Sequence, residues 1–234
     1  MLPDAPPFPG LRPQAFDFLR ALRENNDREW FKPRKSTYED ELRDPLRLLA
    51  ADLSRELPAR GLPVSASDPN KAVFRIYRDT RFSKNKAPYK TNASLALGPG
   101  GDRKAPGGLY VHVEPGRSFV AGGFWNPETK ALGRWREAIV NDPQRFLGVA
   151  ESLRDAGLEF DVGPGSRLKR MPRGFTDHAD SPAADYLKWK GFVARADVPD
   201  AAVLSPAFTE TVIGAALAMR PLLDYGWALY SAAD

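Results

Sequence analysis

The chain contains no cysteine, two histidines and three methionines in 234 residues. The missing cysteine excludes disulfides, thiolate zinc sites and cysteine nucleophiles. The scarcity of histidine leaves little room for a metal centre or a histidine base. His112 sits in "YVHVE" and reads as a packed strand residue. His178 lies in "TDHADS" between Asp177 and Asp180, a poor fit to metal-ligand spacing, so no metal is expected. No G-x-S-x-G, Walker or dinucleotide-binding glycine pattern occurs, and no cofactor is expected. Ser83 and Lys86 match S-x-x-K, but Pro88 disfavours the helical turn that would bring amine to hydroxyl, and the partner motifs are missing. No run approaches the roughly 18 apolar residues needed to span a bilayer. "MLPDAPPFPG" has neither a basic nor an apolar signal region, so a cytoplasmic protein without membrane contact is expected.

Positive charge, by contrast, is concentrated. Between residues 71 and 90 stand Lys71, Arg75, Arg78, Arg81, Lys84, Lys86 and Lys90, opposed by Asp79 alone. That stretch carries +6 against +4 for the whole chain, so the remainder is −2. A smaller concentration, "RLKRMPR" at 167–173, includes Lys169 and Arg170. Such local fields bear on partners, not on fold.

Apolar periodicity predicts the elements. Phe16, Leu19 and Leu22 share a face of a helix from Pro13 to about Glu24. Tyr38, Leu42, Leu46, Leu49, Leu53 and Leu57 mark a second helix over 33–57, with Pro45 a candidate kink. "KAVFRIYRD", "TNASLALG", "GGLYVHVEP" and "RSFVAGGFW" read as strands of a meander over 71–125. Asn126 and Asp142 are candidate caps of two further helices. Short strands are expected near 158–162 and 191–196, and a last helix from Ser205-Pro206 to about Arg220, after which "PLLDYGWALY" finishes the chain. With no repeat and no linker, the chain reads as one α+β domain over 10–230 after a tail at 1–9: an antiparallel β-meander packed by amphipathic helices.

In a strand over 72–79, Phe74 and Ile76 face one side and Arg75, Tyr77 and Asp79 the other. Arginine forks and lysine point charges near a strand end suit a phosphate or carboxylate. Phe82 and Tyr89 could pin the loop, and with Trp30 they could support bases. Against this stands a plainer reading, in which the arginines pair with Glu29, Glu39 or Glu41 and the lysines are merely solvated.

Four stretches resemble, in order, a widespread bacterial and fungal domain-of-unknown-function family: "NNDREWF", "RDTRFSKNKAPYKT", "GGLYVHVEPGRSFVAGGFWNP" and "LKRMPRGF". The likeness runs from about Phe8 to Leu223. It implies a compact cytoplasmic domain and no agreed activity, substrate or cofactor. The motif positions include Arg28 to Phe31, most of Arg78 to Lys90, and Lys169 with Arg170.

The sequence therefore points to a basic site for a phosphate-bearing ligand, with nucleic acid among the candidates. Arg75, Arg78 and Arg81 would bind the anion, joined by Lys84, Lys86, Lys90, Lys169 and Arg170. Two alternatives stay open. One is an enzyme on a small anionic substrate, with Glu29 or Asp79 as acid–base. The other is a module that binds an acidic protein.

Overall fold

The computed structural model describes residues 6–160, 163 and 165–231. In chain order the helices are α1 (Pro13–Glu24), α2 (Arg28–Phe31), α3 (Lys35–Tyr38), α4 (Asp44–Ala59), α5 (Pro69–Ala72), α6 (Thr129–Asn141), α7 (Pro143–Asp155), α8 (Ala184–Leu187), α9 (Asp200–Val203), α10 (Phe208–Ala218) and α11 (Arg220–Ser231). The strands are β1 (Val64–Ser65), β2 (Ala93–Pro99), β3 (Gly108–Val113), β4 (Phe119–Phe124), β5 (Glu159–Phe160) and β6 (Phe192–Asp197). They form an antiparallel sheet in the order β1-β2-β3-β4-β6-β5, an α+β architecture. The expected strand near 158–162 is found as β5, and its residues 161 and 162 lie outside the described residues.

Contacts divide the chain into two compact units. The first comprises 1–103, 110–120 and 197–214, and the second 104–109, 121–196 and 215–234.

In the first unit, α1 buries Phe16, Leu19 and Leu22, and α4 buries Leu46, Leu49, Leu53 and Leu57. Helix α4 packs on β1, β2 and α5, so its leucine stripe meets Leu95 and Leu97 of the sheet core. Between α3 and α4 the chain makes a π turn, Glu39–Arg43, in which the Asp44 N–H donates to the Glu39 carbonyl five residues back. Pro45 then sits in the first turn of α4, directly after the π turn. Asp52 is buried, and its carboxylate accepts from the Phe8 N–H at 2.7 Å and from Arg55 at 2.9 Å. Phe8 itself is buried against Phe208.

The strand expected over 72–79 does not form. After α5 the chain touches its neighbours only at isolated bridges, Val73 with Leu95 and Tyr77 with Tyr89. The alternation is nonetheless real. Ile76 is buried, Phe74 is half-buried, and Arg75, Tyr77 and Asp79 are exposed. What is missing is a continuous ladder, because the chain after Tyr77 folds into a loop and pairs with itself.

The second unit centres on Trp135, stacked on Phe192 at 4.1 Å and surrounded by Phe146 and Tyr225. Asp142 caps α7 as expected, accepting from the Arg145 N–H at 3.0 Å. Asn126 does not cap α6: Glu128 holds that position, and Asn126 adopts a left-handed turn at φ 46°. Gly123 in β4 has φ 138°, and a Cβ there would lie 2.2 Å from the Phe192 carbonyl oxygen, so no larger residue fits.

Candidate functional site

The basic segment is a braced loop of the first unit. The Arg78 N–H donates to the Pro88 carbonyl at 2.8 Å, and the Lys90 N–H to the Ile76 carbonyl at 2.8 Å. Inside this frame the Arg78 guanidinium donates to the Ala87 carbonyl at 2.9 Å and to the Ser83 hydroxyl at 3.4 Å. Lys86 Nζ donates to the Thr80 carbonyl at 3.0 Å, and the Ala87 N–H donates to the Asn85 side chain at 2.9 Å. Arg78 is half-buried and spends its donors on the loop itself.

The loop is tied to the helical layer through Asn26. Its amide nitrogen donates to the Tyr89 carbonyl at 3.1 Å, and its amide oxygen accepts from the Tyr89 N–H at 3.0 Å. The Tyr89 ring is buried and stacked on Phe31 at 4.1 Å. "NNDREWF" and "RDTRFSKNKAPYKT" thus meet. Between them opens a cleft of about 660 Å³ lined by Asn26, Asp27, Arg28, Glu29, Thr80, Lys86, Ala87 and Pro88. Asp27 accepts from the Trp30 N–H at 2.8 Å and so caps α2. Glu29 and Arg28 are exposed on the cleft wall.

The remaining predicted residues divide by partner. Asp79 does not pair with Arg78. It holds Arg81, at 2.7 and 3.0 Å, and accepts from the Arg81 N–H at 3.2 Å. The side-chain bonds from Arg81, followed by its backbone N–H, hold the Asp79 carboxyl below the usual range. Lys84 is exposed at the loop tip. Phe82 does not pin the loop, because it is 95% exposed, with the Arg81 guanidinium 5.8 Å from its ring centre. Trp30 is half-buried between Phe18 and the Arg34 guanidinium, 4.6 Å from its ring centre. Glu39 and Glu41 pair with Arg43 and Arg12, away from the basic segment. Lys169 and Arg170 are exposed in the second unit.

Arg75 and Lys90 belong to a different group, and it includes a residue the sequence reading passed over. Phe74 carries Arg103 on one side, 4.6 Å from the ring centre, and Lys90 at 5.3 Å. No carboxylate pairs with Arg75, Lys90 or Arg103 among the described residues. Burial first, then the charges of Arg75 and Arg103, holds the Lys90 ammonium below its ordinary pKa of 10.5. Arg103 lies in "GPGGDRKAPGG", which reads as turn material, and only its own charge could have flagged it. Phe74 lies 6.0 Å from Tyr110, Tyr110 5.8 Å from Phe119, and Phe119 stacks on buried His112 at 4.6 Å. His112 is packed, with its Nδ1 3.2 Å from the Tyr110 hydroxyl and its Nε2 3.2 Å from Glu114.

No group of three or more His, Asp or Glu side chains able to hold a metal ion occurs among the described residues. Nor, among them, is any helix long and apolar enough to cross a membrane. Residues 14–225 match a family whose description is conserved hypothetical protein, DUF2461. No curated protein and no solved structure matches the chain.

Proposed function

The chain belongs to the DUF2461 family of conserved hypothetical proteins, a name that carries no activity with it, and from its own side chains we propose a binding protein for a phosphate-bearing ligand, held by Arg75, Lys90 and Arg103 beside Phe74. One observation carries this reading. Lys90 and Arg103 stand over one ring, the charge of Arg75 adds to theirs at half-buried Lys90, and no carboxylate forms an ion pair with any of the three among the described residues, although Asp79 feels the charge of Arg75. Clustered like charges are unfavourable in an empty site, and an anion relieves them. Arginine supplies planar paired donors and lysine a point charge, which together suit phosphate. Lys84 and Lys86 widen the field around the loop.

The test is salt-dependent binding. If three cations neutralise phosphates of a single strand, log affinity falls against log salt with a slope of about −2, from roughly −0.7 per contact. Replacing Arg75 and Arg103 together by glutamine should flatten that slope by more than half. Salt-independent or undetectable binding of phosphate-bearing probes sinks the reading.

A second reading rests on the cleft, where Glu29 stands beside Arg28 and Lys86. There an enzyme acting on a small anion would use Glu29 as acid–base. Asp79 suits that role less well, since Arg81 stabilises its ionised form. Turnover lost in Glu29→Gln and retained in Arg75→Gln would favour the enzyme.

A further inference from the structure

We infer that the ligand of the Arg75–Lys90–Arg103 site is single-stranded nucleic acid, whose bases stack along the row Phe74, Tyr110 and Phe119. The inference rests on the phosphate reading above and adds the part of the ligand that is not phosphate.

The row is a consequence of strand geometry. In β3, Val111 and Val113 point into the core, so Tyr110 and His112 point to the opposite face. Phe119, at the start of β4, and Phe74, held by its N–H on the Ser94 carbonyl at 2.9 Å, extend that face on either side. Ring centres follow one another at 6.0 and 5.8 Å, and all three rings are half-exposed. His112, on the same face, is buried beside the row, stacked on Phe119 and bonded to Tyr110 and Glu114, and it stiffens the rings.

The cations stand at one end of the row only. Lys90 and Arg103 both lie against Phe74, the terminal ring. A nucleotide placed there meets phosphate donors and a stacking surface together, and the guanidinium of Arg103 adds a second plate for a base. Bases in a duplex are already stacked on one another and present only their edges. Unpaired bases have free faces, so an aromatic sheet face with a basic rim favours a single strand. A free mononucleotide would use one ring of the three.

Four probes test this by fluorescence anisotropy with the full chain. They are a labelled oligothymidylate, an abasic strand of equal length and charge, a duplex, and thymidine monophosphate as competitor. The expected result is oligothymidylate binding about tenfold tighter than the abasic strand, in keeping with the effect of one or two stacked bases. Phe74→Leu and Tyr110→Leu, with folding checked by circular dichroism, should each shrink that ratio toward one. Equal binding of oligothymidylate and abasic strand overturns the stacking inference and leaves the phosphate site standing. A duplex bound as tightly as the single strand, or competition by the mononucleotide at comparable concentration, also overturns it. If none of the probes binds, the phosphate reading falls and the inference with it.

Discussion

Asn26 and Tyr89, 63 residues apart, are joined by a two-point clasp: one side-chain amide satisfies both the N–H and the carbonyl of one backbone residue. The amide plays the part of a neighbouring strand. It fixes where the basic loop leaves the helical layer, and so where its cations stand.

Removing the clasp should loosen the loop more than the fold. Asn26→Ala is expected to cost about 1–2 kcal/mol, the worth of two hydrogen bonds whose partners then face partial burial. Urea denaturation gives the cost. Amide exchange at Tyr89 and Lys90 should rise while exchange in α4 stays slow. Uniform acceleration across the unit would show that the clasp supports the whole fold.

Arg78 braces the loop through carbonyl and hydroxyl groups, not through Asp79. Arg78→Lys keeps the charge and loses the fork, so stability should fall by about 1 kcal/mol. Limited proteolysis should cut between 79 and 88 faster in the variant. By contrast, Lys84→Ala should change stability by less than about 0.5 kcal/mol. Equal protease sensitivity of the two variants would count against the brace.

Lys90 sets binding against stability. Its replacement by methionine removes a half-buried charge from two like charges, so Lys90→Met should melt higher, by about 0.5–1 kcal/mol, while binding phosphate-bearing probes more weakly. The pH dependence follows from the sign of the shift. The folded ammonium releases its proton below 10.5, so between the folded value and 10.5 the unfolded chain holds more protons. The charge of Lys90 therefore weighs against folding below that window, and stability is recovered as pH rises through it. The gap between wild type and Lys90→Met should narrow as the pH approaches 10.5. A gap that widens would refute the assignment.

Burial pushes the phenols of Tyr38 and Tyr225 up to about 12, from an ordinary value of 10.0. Unfolded, these phenols ionise near 10.0, so their contribution to stability is present below that pH and is lost between 10.0 and about 12. Tyr38→Phe should reduce the alkaline loss of stability. Spectrophotometric titration should show at least two fewer tyrosines ionising near pH 10 in the folded protein than after denaturation, since burial raises Tyr89, Tyr110 and Tyr230 as well.

The sequence made some of this legible and hid the rest for physical reasons. Helix α1 was readable to the residue, because Pro13 opens it and Asn25 follows its end. Strands β2, β3 and β4 were readable because each carries apolar β-formers between turn residues. The segment 72–79 has the same composition, and alternation alone cannot say whether a partner runs alongside. Asn126 looks like a cap, but asparagine also tolerates the left-handed turn it makes here. For the site, the charge of the segment was plain and its division of labour was not. Which arginine braces and which faces outward depends on carbonyls brought close by the fold. Arg103 and the row Phe74–Tyr110–Phe119 come from separate segments, and only pairing sets them side by side.

The π turn at Glu39–Arg43 has a consequence for rotational phase. Tyr38, Leu42 and Leu46 are separated by two successive steps of four, and in a regular helix each such step drifts about 40° around the axis, given 3.6 residues per turn. A wider turn unwinds part of that drift and lets all three side chains reach one core. Regular winding over the same residues would restore the full drift of about 40° at each step and set Tyr38 and Leu46 about 80° apart around the axis. The wider turn thus holds Tyr38, and the Phe31 ring 5.9 Å from it, against the core.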